Sequence, residues 1–135
     1  MTHTAASTGD SLDLVDDPIN PEWILAGNPR ARARTWATSA DKTTDHWCWE
    51  CTAGSFRWWF ERDETVVIVE GSVRVDVDGG PKLDLGVGDS AYFAAGQWST
   101  WTIDDFVRKQ AVMRVPVPAS MSLMAKLLGQ RKYAL

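Results

Sequence analysis

Short runs of β-branched and aromatic residues, separated by turn residues at close intervals, restrict the folds that this chain can adopt. Valine, isoleucine and aromatic residues favour extended backbone, whereas glycine, aspartate and proline favour tight turns. Two of the predicted turns are Ala53-Gly54 and Asp104-Asp105. The predicted strands are Ala31–Trp36, His46–Thr52, Phe56–Phe60, Thr65–Val77, Lys82–Leu85, Ser90–Phe93, Trp98–Ile103 and Val107–Val115. Short strands with hairpin-length connections predict an all-β closed barrel or jelly roll.

The length of the chain suits one domain with a short segment at each end. A chain of 135 residues can bury about two thirds of its unfolded surface in one core. Residues 1–17 are rich in Thr, Ser, Ala and Asp, which predicts a mostly disordered arm before a barrel over residues 18–116. A short helix and tail are predicted over residues 117–135, because Met121, Met124, Leu127 and Leu128 recur at helical spacing. We expect this stripe to pack on the barrel or on a second subunit.

The charge and hydropathy of the chain argue against two kinds of partner. The net charge of −4 disfavours binding to nucleic acids or anionic membranes, since both require a basic patch. No apolar run reaches the length of a membrane span, and residues 1–17 lack a basic start followed by an apolar stretch. We therefore expect a cytoplasmic protein with no nucleic-acid or membrane partner.

Two cysteines form a Cys-x-x-Cys sequence, but its predicted geometry does not suit a disulfide. In an extended strand the Cα atoms of Cys48 and Cys51 would lie about 10 Å apart, beyond the limit of about 7 Å for a bridge. A structural zinc site would also need a second pair of ligands that the chain lacks. We expect both residues to be reduced, buried thiols.

The alternation of the last predicted strand places a lysine among apolar side chains. Val107, Lys109, Ala111 and Met113 share one face of this strand. Because an isolated buried ammonium is costly, Lys109 needs a carboxylate partner. Glu64 is the candidate.

The segment Thr65–Val69 is apolar on both of its faces, which is typical of a strand that is covered on two sides. A second copy of the chain would be the simplest cover, and two-fold dimers are the commonest oligomers. We therefore expect a homodimer. The alternative is that the N-terminal segment or the C-terminal helix covers this face within one subunit.

Two glycine-bearing blocks of the sequence resemble the motifs of the cupins. In their first motif a glutamate is followed by six residues and a glycine, and Glu64 to Gly71 has this spacing. Their second motif runs glycine, five residues, proline, one residue, glycine, two residues, histidine. Gly88, Ala94, Gly96 and Ser99 stand at those places.

A wider set of residues resembles one branch of that superfamily: Trp49, Cys51, Gly54, Phe56, Glu64, Gly71, Gly88-Asp89, Gly96, Trp101 and Arg108-Lys109. It is similar to the small single-domain cupins related to the ureidoglycine aminohydrolase and ethanolamine-utilisation cupin domains, many of which have no assigned function. The similarity extends over residues 20–116. It implies a cupin-type double-stranded β-helix, which is a jelly-roll barrel, with a short C-terminal α-helix.

The chain departs from the metal-binding cupins at the positions of their histidine ligands. Trp58 and Phe60 stand where the first two histidines are expected, and Ser99 replaces the third. Because divalent metals in such sites require three strong nitrogen or oxygen donors, we expect no histidine-held metal and no cofactor. A non-standard site that uses His46, Glu64 or Glu70 is the alternative.

The inward residues that remain suit a site for a small organic molecule. Apolar walls with a few polar groups are typical of ligand-binding sites. The predicted ligand-binding residues are Trp49, Trp58, Phe60, Tyr92, Ser99 and Trp101. The strand pattern does not decide between Tyr92 and Phe93 as the inward residue.

Three functions are compatible with this pattern of residues. The first is a metal-free cupin that binds a small metabolite of unknown identity. The second is a metal-independent isomerase, lyase or hydrolase with Glu64 and Lys109 as catalytic residues. The third is a structural or interaction module that uses the exposed tryptophans and the C-terminal helix, while the inward rings serve only to fill the barrel.

Overall fold

The computed structural model describes residues 4–7 and 13–133, which form antiparallel strands followed by one helix. The strands are β1 (Val15–Asp16), β2 (Ile24–Gly27), β3 (Ala31–Thr38), β4 (Thr44–Phe60), β5 (Asp63–Val77), β6 (Lys82–Gly86), β7 (Ser90–Phe93) and β8 (Gln97–Arg114). A 3-10 turn at Pro21–Trp23 precedes β2, and the helix α1 spans Ala119–Tyr133. Within the described residues, no helix is long and apolar enough to cross a membrane.

Three long strands, β4, β5 and β8, each run through both layers of a jelly roll. In one layer the strand order is β1-β3-β4-β8-β5-β7, and in the other it is β2-β4-β8-β5-β6. The first half of β4 therefore pairs with the last half of β8, and the second half of β4 with the start of β8. The predicted all-β jelly roll with a C-terminal helix is confirmed.

The predicted turns at Ala53-Gly54 and Asp104-Asp105 are wrong, because both segments lie within continuous strands. Thr52 pairs with Phe106 and Gly54 pairs with Ile103, so Ala53 alone faces two aspartates. This is a β-bulge, which bends a strand without ending it. One of the two aspartates, Asp104, forms an ion pair with Arg74 on β5. Residues that are common in turns thus form a bulge here, and this bulge bends the paired strands β4 and β8 from one layer into the other.

The N-terminal segment differs in part from the predicted disordered arm. Val15 and Asp16 form β1, which pairs with Ala33 and Arg32 of β3. Residues 4–7 and 13–14 have no regular secondary structure. Residues 1–3 and 8–12 lie outside the described residues, as do residues 134–135 of the predicted C-terminal tail. The prediction of a disordered arm over residues 1–17 is therefore wrong at Val15 and Asp16, which form a strand.

The helix α1 does not bury its apolar residues against the barrel. Its exposed large hydrophobic side chains are Met121, Leu123, Met124, Leu127 and Leu128. The helix itself was predicted, but packing of its Met/Leu stripe on the barrel of the same subunit is not observed. The core instead lies between the two layers, where the rings of Phe56 and Trp101 stack with their centroids 6.3 Å apart.

The two cysteines are buried and free, as predicted for reduced thiols. Both lie in β4, where Cys48 pairs with Arg34 and Cys51 pairs with Ala31. Burial raises the pKa of the Cys51 thiol to about 12 and also raises the pKa of Cys48. Both residues thus pack as small apolar side chains.

Candidate functional site

A buried ion pair joins two of the long strands inside the barrel. Nζ of Lys109 in β8 donates a hydrogen bond of 2.6 Å to Oε2 of Glu64 in β5. The two residues are only 4% and 2% exposed. The predicted partnership between Lys109 and Glu64 is therefore present. The carboxylate provides the opposite charge that a buried ammonium requires.

Two tryptophan rings complete the surroundings of the ammonium. Nζ of Lys109 lies 4.7 Å from the ring centroid of Trp49 and 4.5 Å from that of Trp101. Both distances are within the range of cation–π attraction. Strand alternation brings these groups together, because Trp49 pairs with Lys109 across the β4–β8 ladder and Trp101 lies on the same face of β8.

A cavity of about 180 Å³ opens beside this lysine. Among the described residues, five of its lining side chains are aromatic, and the others are those of Met113, Lys109 and Asp17. The aromatic residues are Trp47, Trp49, Phe56, Trp58 and Trp101. Lys109 is buried in the cavity wall, whereas Asp17 is an exposed residue that follows β1. The cavity therefore has apolar walls, one interior cation and one carboxylate at its exposed side.

Only part of the predicted set of ligand-binding residues lines this cavity. Trp49, Trp58 and Trp101 do so, whereas Phe60 and Ser99 do not. The Phe60 ring stacks on that of Phe93, with the centroids 4.6 Å apart.

Ser99 is fully buried and has a local hydrogen-bonding role. Its hydroxyl group donates to the backbone carbonyl of Trp58 and accepts from Nε1 of Trp101, with both distances 3.1 Å. This serine thus holds the indole of Trp101 in place across the β4–β8 ladder.

Tyr92 is wrongly placed in the predicted set. It is 62% exposed, while its neighbour Phe93 is 2% exposed. In β7 Phe93 pairs with the inward residue Glu64, and Tyr92 pairs with the outward Thr65. Since alternate residues of a strand face opposite sides, the register of β7 on β5 directs Phe93 inward.

Four residues that line the cavity were missed by the sequence interpretation: Asp17, Trp47, Phe56 and Met113. Trp47 lies two residues before Trp49 in β4, and Met113 is four residues after Lys109 in β8. The same alternation that selected Trp49 and Lys109 could have found both. Asp17 lies outside the barrel strands, so that strand periodicity gave no signal for it.

Glu64 faces a second depression next to the first cavity. This depression has a volume of about 250 Å³, and its lining includes Glu64, Trp23 and Phe60. Trp58 and Met113 line both spaces. The two members of the ion pair thus face neighbouring spaces that share a wall of one indole ring and one flexible thioether side chain.

One of the tryptophans that line the cavity has an indole N–H without a hydrogen-bond partner among the described residues. Nε1 of Trp47 is buried and has no partner among the described residues. Most buried polar atoms are hydrogen-bonded, so an exception at a residue that lines a cavity is an indication of a missing partner.

The donor set does not fit a metal held as in the histidine-bearing cupins. The side chains of Trp58 and Phe60 have no group that coordinates a divalent ion, and Ser99 is already engaged in two hydrogen bonds. Within residues 4–7 and 13–133, no three His, Cys, Asp or Glu side chains form a group that could hold a metal ion.

The jelly roll and its lined cavity together define a cupin-type protein. The chain belongs to the family of the EutQ-like cupin domain, whose model matches residues 38–111, more than half of its length. No curated protein sequence matched the chain.

Solved structures share this fold at low sequence identity. A protein of unknown function of the DUF861 family from Pseudomonas syringae is 22% identical, with a TM-score of 0.69 over 76% of this chain and 45% of that chain. The chain thus spans less than half of that protein. A putative ethanolamine utilization protein Q from Salmonella typhimurium is 19% identical, with a TM-score of 0.56 and coverage of 63% and 69%. Ectoine synthase from P. lautus is 16% identical, with a TM-score of 0.57 and coverage of 70% and 71%.

Proposed function

We propose that the protein binds a small organic metabolite in the aromatic-lined cavity, without a histidine-held metal. The observation that carries this proposal is the lining itself: five aromatic side chains surround the space beside the buried ammonium of Lys109. Ring faces favour flat or apolar molecules, and a few polar groups among them fix the orientation of a ligand.

The volume of the cavity limits the size of the ligand. A cavity of about 150 Å³ in an apolar protein core is large enough to bind benzene. The cavity here, at about 180 Å³, suits a molecule with a single ring or of similar bulk.

Binding is better supported than acid–base catalysis by Glu64 and Lys109. The two groups are hydrogen-bonded to each other and face different spaces, so a molecule in the cavity has Lys109 but not Glu64 in its wall. A general acid or base needs direct or water-mediated contact with the reacting atom. The metal-independent isomerase, lyase or hydrolase therefore has no separate observation in its favour.

A screen of small molecules against the purified protein tests the binding proposal. We expect some single-ring compounds to raise the midpoint of thermal unfolding, because a ligand that binds only the folded state stabilises it. Trp58→Ala should abolish that shift, since it removes a wall of the cavity. Trp98→Ala is the matched control, because Trp98 does not line the cavity. If the shifts are the same in both variants, or if no compound of any charge binds, the proposal is wrong.

We also infer that two copies of the chain pair through the outer face of β5. Val69, Tyr92 and Val112 are exposed large hydrophobic residues, and Val67 on the same face is partly buried. The register places Tyr92 and Val112 on either side of Thr65 in adjacent strands, so these side chains form one continuous surface. Exposed apolar surface of this kind is typical of interfaces. Among the described residues, neither β1 nor α1 covers it.

A further inference from the structure

Two residues that line the cavity carry hydrogen-bond donors that lack a full set of acceptors. The first is Lys109, whose ammonium has three N–H groups but, among the described residues, only one oxygen partner, Oε2 of Glu64. The ammonium also lies over the ring faces of Trp49 and Trp101. The second is the buried Nε1 of Trp47, which has no partner in the described part of the chain.

The interior side chains of the same wall offer almost no acceptor in return. Apart from Lys109, they are four tryptophans, one phenylalanine and Met113, whose thioether is a weak acceptor. An indole N–H only donates, and so does an ammonium. Among the described residues, the single carboxylate of the lining belongs to Asp17, which is exposed, so solvent screens its charge. A ligand that enters the cavity therefore meets donors inside and a carboxylate only at the solvent-exposed side.

We propose, building on the binding function above, that the ligand is a compact carboxylate of about one ring, whose oxygens accept hydrogen bonds from Lys109 and from the indole of Trp47. A carboxylate has two oxygens with several acceptor positions, so that it can satisfy both donors at once. Hydrogen bonds between ionised groups are about twice as strong as neutral ones. The apolar body of the ligand would lie against the uncharged rings of Phe56 and Trp58.

The Glu64 carboxylate moderates this attraction. It already neutralises the Lys109 ammonium, so a bound anion shares that cation with Glu64. Neutralising Glu64 should therefore strengthen the binding of an anion and weaken the binding of a cation. This opposite response separates the two ligand classes.

Three probes of nearly the same shape test the charge of the ligand. Benzoate, benzamide and benzylamine are negative, neutral and positive near pH 7, and calorimetric titration would compare their Kd values for the full chain. We expect benzoate to bind at least about 10-fold more tightly than benzamide, and benzylamine to bind most weakly. If benzamide or benzylamine binds as tightly as benzoate, the carboxylate proposal is overturned.

Two variants test the named donors. Trp47→Phe keeps an aromatic ring in the wall but removes the N–H, and it should weaken benzoate binding about 3-fold to 10-fold while leaving toluene binding unchanged. Trp98→Phe is the control, since it makes the same substitution at a residue that does not line the cavity. Equal benzoate affinity in Trp47→Phe and the unmodified chain would contradict the assigned donor.

Variants of the ion pair test the role of Lys109. Glu64→Gln should tighten benzoate binding, and the double variant Glu64→Leu/Lys109→Met should lose the preference for benzoate over benzamide. The double variant is used because it leaves no buried charge unpaired. If the preference for benzoate survives in it, Lys109 does not receive the carboxylate.

The carboxylate proposal and the binding function can fail separately. If benzamide or benzylamine binds best and Trp58→Ala abolishes that binding, the cavity is a ligand site but the class of ligand is wrong. If none of the three probes and no compound of the broader screen binds, both proposals fail.

Discussion

The backbone of Gly71 packs directly against the carbonyl oxygen of Phe106, far closer than a β-carbon on Gly71 would allow. Gly71 also has a φ of +73°, in the region that L-residues rarely adopt. It lies where β5 passes from one layer to the other, opposite Val107 of β8. This glycine thus fulfils a steric and a conformational requirement at once.

Gly71→Ala should therefore destabilise the protein by more than about 3 kcal/mol or prevent it from folding, because backbone would have to move. Gly79 is the matched control: its φ is +68°, but a β-carbon there would meet no atom within 4 Å. Gly79→Ala should cost only the conformational penalty of about 1–2 kcal/mol. Urea unfolding of the two variants measures the difference. Equal losses would show that the contact with Phe106 has no energetic consequence.

Lys109→Met should destabilise the protein by about 3–5 kcal/mol, because it leaves the buried carboxylate of Glu64 without its cation. The double variant Glu64→Leu/Lys109→Met should recover most of this loss, since it removes both charges. Arg74→Met provides a surface control: it breaks the exposed pair with Asp104 and should cost no more than about 1 kcal/mol. Free energies of unfolding for the set give the test. A double variant as unstable as Lys109→Met would contradict the assigned energetics.

The thiols of Cys48 and Cys51 should react very slowly with alkylating reagents in the folded protein. With a pKa of about 12, only about one ten-thousandth of Cys51 is thiolate at pH 8, against roughly a quarter for an ordinary cysteine. Raising the pH toward 10 should increase its reactivity about 10-fold per pH unit while the fold persists. Mass spectrometry after timed alkylation, with protein unfolded in urea as the reactive control, checks this expectation. Rapid modification of the native protein at pH 8 would contradict it.

Asp45 should stabilise the protein in a pH-dependent manner. The hydrogen bond from Arg62 lowers the pKa of the Asp45 carboxyl group below its ordinary value near 3.8. The stabilisation is therefore fully present above about pH 4 and disappears as the pH falls through the lower folded-state value.

Asp45→Asn should lower the free energy of unfolding at pH 7 by up to about 1 kcal/mol, and this difference should shrink as the pH falls below about 4. Asp105→Asn is the control, since its carboxylate has no hydrogen-bond or ion-pair partner among the described residues. Urea titrations at several pH values give both curves. A difference that stays constant down to about pH 2.5 would contradict the assigned ion pair.

The proposed dimer can be tested at its centre. Val69→Glu and Val112→Lys, made separately, each introduce one charge on the outer apolar surface. Each variant should shift the protein from dimer to monomer, since an unpaired charge in an interface is costly. Light scattering coupled to size-exclusion chromatography measures the molecular mass. Val87→Lys is the control, because Val87 is exposed but lies between β6 and β7 rather than on that surface. An unmodified chain that is monomeric at micromolar concentration would overturn the proposal.

Strand alternation predicted the jelly roll and the inward direction of Lys109 because both depend on a period of two residues. It failed at Asp104-Asp105. These two polar residues are typical of a turn, but here they lie in a β-bulge, where Asp104 forms an ion pair with Arg74. It also could not place Tyr92, since the short strand β7 has apolar residues on both faces and only its pairing with β5 fixes the register. Asp17 was missed because its position depends on how β1, the strand that precedes it, pairs along the edge of β3. What remained unpredicted depends on contacts between distant segments, about which local periodicity carries no information.

Glu64 occupies the glutamate position of the first cupin motif, and its counter-ion is an ammonium that belongs to the same polypeptide. Such a cation is supplied when the chain is translated, so it cannot be withdrawn by a chelator or exchanged for another ion. The opposite charge next to Glu64 is consequently part of the fold itself. The residue that supplies this charge is Lys109.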